Sequence, residues 1–160
     1  MDILELPLEV GEIGAIVAGL GLVIAFLLYT QLTGRKVENE KVANIGDKIQ
    51  SGAMAFLNAE YRVLIIFVLV VAILLYAGGE LNEDLGIYVS ISFLMGAFAS
   101  ALAGNIGMRA ATAANTRTAM AAHTEGQGAA LQVAYNGGAV MGLCVGGLGL
   151  LGISIMFLMF

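Results

Sequence analysis

The charged side chains that could support chemistry are few, and their spacing does not form a catalytic set. Metal-dependent phosphoryl chemistry needs several carboxylates that converge on the metal, with cations on the phosphate oxygens. The acidic side chains nearest the basic segments are scattered, with no pair of closely spaced aspartates: Glu38, Glu40, Asp47, Glu60 and Glu125. The sequence therefore predicts no catalytic residue, no cofactor-binding residue and no metal ligand in this chain.

The remaining reactive residue types have structural interpretations. His123 is the single histidine and is predicted to be solvated rather than a ligand. Arg109 and Arg117 are predicted to anchor a helix at lipid headgroups, with a phosphate-facing role as the alternative. Cys144 is the single cysteine, which excludes an internal disulfide, and its apolar surroundings predict an inert packed thiol. No Walker-type phosphate loop, Cys/His metal spacing or Ser-His-Asp arrangement is present.

Composition indicates a membrane protein. Hydrophobic residues make up 59% and charged residues 12% of the chain, against roughly half and about a quarter in ordinary soluble domains. The net charge of -5 gives no support for nucleic acid as a partner. The expected surroundings are a lipid bilayer.

The charge distribution predicts an orientation. All seven Lys and Arg residues lie within residues 35–62 and 109–117, and cationic segments next to spanning helices stay on the cytoplasmic side. The segments expected outside are acidic: Asp2, Glu5, Glu9, Glu12, Glu80, Glu83 and Asp84. The predicted location is a prokaryotic cell membrane, with the amino terminus outside and the basic loops cytoplasmic. The first apolar stretch lacks a basic segment before it, which favours an uncleaved span over a secretory signal.

The apolar stretches predict an all-α integral membrane fold in which residues 1–160 form a single unit of four transmembrane helices. The stretch from Ile13 to Thr33 reaches roughly 31 Å as a helix, enough to cross the hydrocarbon core. The predicted spans are about 13–33, 60–78, 87–108 and 129–153, and the cytoplasmic loops are about 34–59 and 109–128. The apolar ending at residues 155–160 is expected to reflect a truncation.

Both basic loops contain helical signals. Ile45, Ile49, Ala53, Phe56 and Glu60 are spaced by three and four residues, which predicts an amphipathic helix that runs into the second span. Residues 108–122 are rich in alanine, so the third span should continue several turns beyond the membrane. Residues 125–128 contain two glycines and should end that helix.

The spans differ in side-chain size. Residues 63–71 are bulky on all sides, which suits a lipid-facing position. Small residues recur every four positions on two other spans: Gly96, Ser100 and Gly104 on the third, and Gly138, Gly142 and Gly146 on the fourth. Small stripes allow helices to approach closely in membranes, so they predict helix packing. A substrate path along these glycines is the alternative.

A rotor proteolipid of a rotary ATPase would also have four glycine-rich spans. Such a rotor needs an ionisable side chain at membrane depth, and these spans offer only polar candidates: Ser90, Ser92, Ser100, Asn105, Asn136 and Ser154. We therefore rank it below a second alternative, a small non-enzymatic membrane scaffold or interaction protein.

Three segments carry a resemblance to a known family. Within residues 41–57, Ile49 to Leu57 follow the pattern I-x-x-G-A-x-A-[FY]-L, and the pair Tyr61-Arg62 comes shortly after. Residues 100–118 and 137–142 supply the second and third segments. Together, and in this order, they resemble the membrane-bound ion-pumping pyrophosphatases over about residues 41–151. Ala59 departs from the family pattern, which often has a basic residue there.

The resemblance implies a homodimeric pump of roughly sixteen spans per subunit that hydrolyses inorganic diphosphate with Mg2+ and moves H+ or Na+ outward. K+ is a further candidate cofactor that the resemblance leaves open. The first four spans belong to an outer ring, and the aspartate-rich signature of the hydrolytic centre would follow the fourth span. No catalytic residue of the family therefore falls on this chain. The implied role is a scaffold for the remaining helices of the pump, with no activity of its own.

Overall fold

The computed structural model describes residues 9–79 and 85–159, and this part of the chain consists of four α helices. They are α1 (Glu9–Gly34), α2 (Glu40–Gly78), α3 (Leu85–Thr124) and α4 (Gln127–Met159). All four are long and apolar enough to cross a membrane, which confirms the predicted all-α membrane fold. The acidic residues Asp2, Glu5, Glu80, Glu83 and Asp84 lie outside the described residues.

The helices are arranged in the spatial order α1, α4, α3, α2. Helix α4 packs between α1 and α3, while α2 contacts only α3 within the described residues. A few further contacts join α1 to α3. We call the end where α1 and α3 finish and α2 and α4 begin the basic end, because six of the seven Lys and Arg residues lie toward it, while Arg62 lies near the middle of α2.

Two of the helices are much longer than a bilayer requires. Helix α2 has 39 residues and α3 has 40, so each extends for about 60 Å against a hydrocarbon core of about 30 Å. As expected, the segment from Ile45 to Glu60 continues into residues 63–78 as one helix, and α3 continues to Thr124. Residues 34–59 and 109–128 are thus mostly helical, and the actual connections at the basic end are residues 35–39 and 125–126.

Local caps explain these short connections. The Asn39 side-chain oxygen accepts hydrogen bonds from the backbone N–H groups of Lys41 (3.0 Å) and Val42 (3.3 Å) and thereby starts α2. At the other connection, Gly126 has a φ of 94°, a conformation that glycine adopts without strain. The backbone N–H groups of Glu125 and Gly126 both donate to the Ala121 carbonyl at 2.9 Å, which ends α3.

The contacts of α4 with α1 and α3 depend on glycines, which have no side chain. A Cβ atom placed on Gly137 would lie 2.5 Å from the Cβ of Ala114 on α3, and one on Gly147 would lie 2.9 Å from the Cγ of Leu22 on α1. Between these glycines, Val140 and Cys144 are buried. The buried positions of α4 follow a seven-residue repeat, as in left-handed helix packing: Ala130, Val133, Gly137, Val140, Cys144, Gly147 and Ser154.

The predicted small stripes are not the stripes that make these contacts. Among the described residues, no atom lies within 4 Å of a Cβ built on Gly96, Gly138, Gly142 or Gly146, and Gly104 has only the Tyr61 hydroxyl at 3.3 Å. The four-residue spacing identified small surfaces correctly, but the neighbouring seven-residue repeat forms the interface. Within the described residues, Gly104 against Tyr61 is therefore the one contact that the glycines of the predicted stripes make with another helix.

The amphipathic face predicted on α2 is not the face that packs on α3. Ile45 and Phe56 are 58% and 60% exposed, whereas Leu57 is buried on α2 and Gly46 lies against the Thr116 methyl of α3. Further along, the Tyr61 hydroxyl donates to the Ala101 carbonyl. Gly46 and the hydrogen bond of Tyr61 thus determine which face of α2 packs on α3. The apolar face predicted from periodicity is largely exposed among the described residues.

We predict that Gly137→Ala destabilises the fold relative to Gly138→Ala. The two variants gain similar helix propensity, but only the new methyl at position 137 would overlap a neighbouring helix. Because overpacking costs about 1–3 kcal/mol, the free energies of unfolding of the 160-residue chain in detergent should differ by about that amount. Equal stability by circular dichroism would contradict the packing described here.

Candidate functional site: the polar contacts at the basic end

Arg117 on α3 joins the ends of two helices. Its Nε donates to the Arg35 carbonyl at 3.0 Å, its Nη2 to the Thr33 carbonyl at 3.0 Å, and its Nη1 to the Ala113 carbonyl at 2.8 Å. Thr33 and Arg35 lie at the end of α1, where carbonyl groups have no partner within the helix and the helix dipole is negative. Since α1 has no basic residue in its last turn, Arg117 supplies both the donors and the positive charge.

An ion pair lies beside this contact. Arg35 Nη1 is 3.1 Å from Glu125 Oε1, and the two side chains are 43% and 52% exposed. Exposed pairs of this kind contribute little to stability, because water and salt screen them. The pair links the α1–α2 connection to the α3–α4 turn without making a reactive centre.

The two arginines of α3 therefore have different environments. Arg109 is exposed, and its Nε donates to Asn105 Oδ1 at 2.9 Å, one turn earlier on the same helix. Arg117 is half-buried and contacts peptide oxygens. The prediction that both arginines anchor α3 at lipid headgroups did not include the hydrogen bonds from Arg117 to the end of α1. No local sequence signal pointed to this role, because Arg35 and Lys36 directly follow α1 and the hydrogen bonds of Arg117 join residues more than 80 positions apart.

The cavity next to Arg117 has mixed charge. It has a volume of about 290 Å³, and its lining includes Arg35, Lys36, Glu38, Arg117 and Glu125. The three cations and two carboxylates largely offset one another, so the cavity lacks the strong positive charge that would attract a multiply charged anion.

The acidic residues remain apart in the structure. Glu38, Glu40, Asp47 and Glu60 are exposed, and no group of three or more His, Cys, Asp or Glu side chains within residues 9–79 and 85–159 could hold a metal ion. Mg2+ binding by protein carboxylates needs converging oxygen ligands. The described residues do not fit a Mg2+ site. His123 is exposed near the end of α3, and Cys144 is a buried free thiol in α4.

Polar side chains inside the spans connect the helices. Ser90 Oγ on α3 lies within hydrogen-bond distance of two carbonyls, that of Gly86 on its own helix (2.8 Å) and that of Ala72 on α2 (3.2 Å), which share its single proton. Ser92 Oγ lies 3.2 Å from the Met156 sulfur of α4. Both serines are among the polar side chains that the spans offer in place of an ionisable group, and both make interhelical contacts.

An apolar groove separates α3 from α4 toward the end opposite the basic end. It has a volume of about 1020 Å³ and is lined mostly by small residues on α3, and on α4 by two glycines among large apolar residues. The small lining residues are Gly96, Ala99, Ser100, Ala103 and Gly104 on α3, and Gly149 and Gly152 on α4. Of the two predicted stripes, the one on α3, which consists of Gly96, Ser100 and Gly104, therefore faces this groove.

These features define the class of protein: a polytopic α-helical membrane protein in which the described polar groups hold helices together. Comparison with known proteins then gives the family. Residues 19–160 match the family model described as inorganic H+ pyrophosphatase. Since the match covers most of the chain, the chain belongs to this family.

Several characterised relatives are similar to this chain. It is 42% identical over 129 residues to the K+-insensitive pyrophosphate-energized proton pump of Caldanaerobacter subterraneus subsp. tengcongensis, covering 75% of this chain and 18% of that protein. It is 44% identical over 128 residues to the K+-stimulated pyrophosphate-energized sodium pump of Thermotoga maritima, covering 79% and 17%. The proton pump of Pyrobaculum aerophilum is 34% identical over 148 residues, covering 92% and 20%. The chain therefore spans about a fifth of the length of these relatives.

We predict that Arg117→Gln lowers the stability of the chain while Arg109→Gln has little effect. Hydrogen bonds from charged groups contribute about 1.5–3 kcal/mol when shielded, and partial exposure reduces this, so a loss of about 1–2 kcal/mol is expected at position 117. Arg109→Gln should change stability by less than about 0.5 kcal/mol. Arg117→Lys should recover only part of the loss, because a lysine lacks the fork of donors. Denaturant titrations in detergent measure these values, and equal losses for both glutamine variants would contradict the capping role.

Proposed function

We propose that this chain is the amino-terminal, four-helix part of a membrane pyrophosphatase that couples Mg2+-dependent hydrolysis of inorganic diphosphate to outward transport of H+ or Na+. The observation that carries this proposal is the family match over residues 19–160. The pump names of the relatives support it further.

The role proposed for this segment is that of a structural scaffold. The described polar side chains bond helix ends and neighbouring helices, and the described carboxylates do not converge. Hydrolysis and Mg2+ binding are therefore assigned to residues outside this segment. A homodimer and K+ as a cofactor are parts of the same proposal. The relatives include both a K+-insensitive proton pump and a K+-stimulated sodium pump, so their names do not select the ion.

The orientation proposed is amino terminus outside and basic end in the cytoplasm of a prokaryotic cell. Its support is electrostatic, because six of the seven cationic residues lie toward one end of four apolar helices. Long extensions of α2 and α3 at this end would then stand in the cytoplasm.

We predict that purified residues 1–160 release no phosphate from diphosphate in the presence of Mg2+, whereas the full-length pump does. The reason is that the described part of the segment lacks a converging set of carboxylates. Phosphate release is measured in liposomes, with and without Mg2+, after removal of host pyrophosphatases. Turnover by the segment would contradict the scaffold role, and a full-length protein inactive on diphosphate would contradict the proposed function.

We predict that Lys48→Cys is labelled by a membrane-impermeant maleimide only from the cytoplasmic side. Lys48 is exposed on the extension of α2, and Cys144→Ala removes the native thiol of this segment. Intact cells should protect position 48, and opened cells or inverted vesicles should expose it. Labelling in intact cells would overturn the orientation.

A further inference from the structure

We propose that the surface groove between α2 and α3 binds one anionic phospholipid, with an acyl chain in the groove and the phosphate between Arg62 and Arg109. This inference goes beyond the proposed function and does not depend on diphosphate hydrolysis. The name α2–α3 groove is used for a cavity of about 350 Å³ that is lined by residues of α2 from Tyr61 to Leu69 and of α3 from Leu94 to Ala101.

The α2–α3 groove has the shape and the side chains that suit a lipid tail. Its lining follows the helix axes for about 12 Å, from Tyr61 to Leu69 at 1.5 Å per residue. It contains no glycine, and Ile65, Leu69 and Phe98 are each more than half exposed. Small residues mark the surfaces where membrane helices pack closely, so this bulky lining favours lipid. Because α2 contacts only α3 among the described residues, the groove lies at an edge of the four-helix unit.

An exposed cation lies at the end of the groove nearest the basic end. Arg62 precedes Ile65 by three positions and Leu69 by seven, so it lies on the side of α2 that borders the groove. Helical side chains lean toward the amino terminus of their own helix, which for α2 is the basic end. Arg62 is exposed, and no hydrogen bond or ion pair joins it to another residue within 9–79 and 85–159. Its guanidinium group is therefore free to bind an anion at this end of the groove.

A second arginine approaches the same place from α3. Arg109 follows Phe98, which lines the groove, by eleven positions, and eleven residues make about three helical turns. Since α3 runs opposite to α2, its side chains lean from the basic end toward the groove. The hydrogen bond from Arg109 Nε to Asn105 Oδ1 (2.9 Å), one turn earlier, has this direction and leaves both Nη groups for an anion.

The alignment of the two helices brings the arginines within reach of one phosphate. Tyr61 contacts Ala101, and Gly46 contacts Thr116, so one register holds along the α2–α3 pair. In this register Arg62 and Arg109 are separated by about 13 Å along the helix axes at 1.5 Å per residue. Their side chains lean toward each other, so a phosphate between the two guanidinium groups can contact both.

The depth of the arginines matches the level of the lipid phosphates. Arg62 lies about 24 Å along α2 from Gly78, and Arg109 lies about 35 Å along α3 from Gly86, at 1.5 Å per residue. Both glycines adjoin the acidic segment 80–84, which places them near the opposite membrane surface. Because the hydrocarbon core is about 30 Å thick, its boundary at the basic end falls between the two arginines.

The local charge favours an anionic headgroup over a zwitterionic one. Within the described residues the ion pair of the basic end joins Arg35 to Glu125, and neither Arg62 nor Arg109 has a carboxylate partner. Glu60 is two positions from Arg62, a spacing that does not place two side chains on the same helix face. Guanidinium groups bind phosphate through paired hydrogen bonds. A headgroup that carries a cation of its own would lose part of this attraction.

Photolabelling of the full-length pump in lipid nanodiscs tests the proposal. Phosphatidylglycerol and phosphatidylcholine probes with the same diazirine-bearing acyl chain are added separately, and adducts are mapped by mass spectrometry after irradiation. The phosphatidylglycerol probe should label residues 61–69 and 94–101 in clear preference to the phosphatidylcholine probe. Arg62→Gln and Arg109→Gln should each lower this preference about fivefold, the factor that corresponds to about 1 kcal/mol for a cation near an anionic lipid.

Two further variants serve as controls. Lys48→Gln removes an exposed cation from the same helix farther from the groove, and it should leave the preference unchanged. Ala97→Phe fills the groove, and it should lower labelling by both probes. Circular dichroism and size-exclusion elution confirm that each variant is folded. The preference should also fall as salt is raised, because salt screens exposed charges.

Three results would each overturn the lipid site. They are equal labelling of the groove by the two probes, a preference that survives both arginine substitutions, and a loss with Lys48→Gln as large as with Arg62→Gln. Diphosphate hydrolysis by the same preparation is measured in parallel. An active pump without the lipid preference would refute this inference alone, and an inactive protein with the preference would refute the proposed function alone.

Discussion

The fold depends on close approach of α4 to α1 and α3. In a bilayer, lipid tails are as apolar as the side chains, so helices gain little by leaving lipid and must gain from packing and hydrogen bonds. The contacts of Gly137 with Ala114 and of Gly147 with Leu22 provide that packing. Among the described residues, helix α2 contacts only α3. The Gly79 and Gly86 backbones lie too close together there to admit a Cβ. Hydrogen bonds from Ser90 and Tyr61 to backbone carbonyls also cross this interface.

Three polar side chains, like the glycines, hold helices together. Arg117, Ser90 and Tyr61 each bond a peptide oxygen of another helix or of a helix end. Carboxylates are exposed and separate in the described residues. The described polar groups of this pyrophosphatase-family chain thus contribute to helix association.

Much of the architecture could be predicted from the sequence, because hydropathy and propensity are local properties. The four helices, the continuous path from Ile45 into the second span, and the end of α3 near Gly126 follow from residues close together in the chain. The contact surfaces could not be predicted in the same way. Gly138 and Gly137 are equally small, and which one faces α3 depends on the partner helix. Likewise, the cap from Arg117 to α1 joins residues more than 80 positions apart.

This long-range cap also has a consequence for the order of assembly. The carbonyl groups at Thr33 and Arg35 find their donor in Arg117, which is 82 residues after Arg35. At translation rates of about 5–20 residues per second, roughly 4–16 s separate the synthesis of these two parts. During that interval the first helix must rely on water or headgroups at this terminus. The carbonyl groups at the end of α1 gain the donors of Arg117 only after α3 has been synthesised and has folded beside α1.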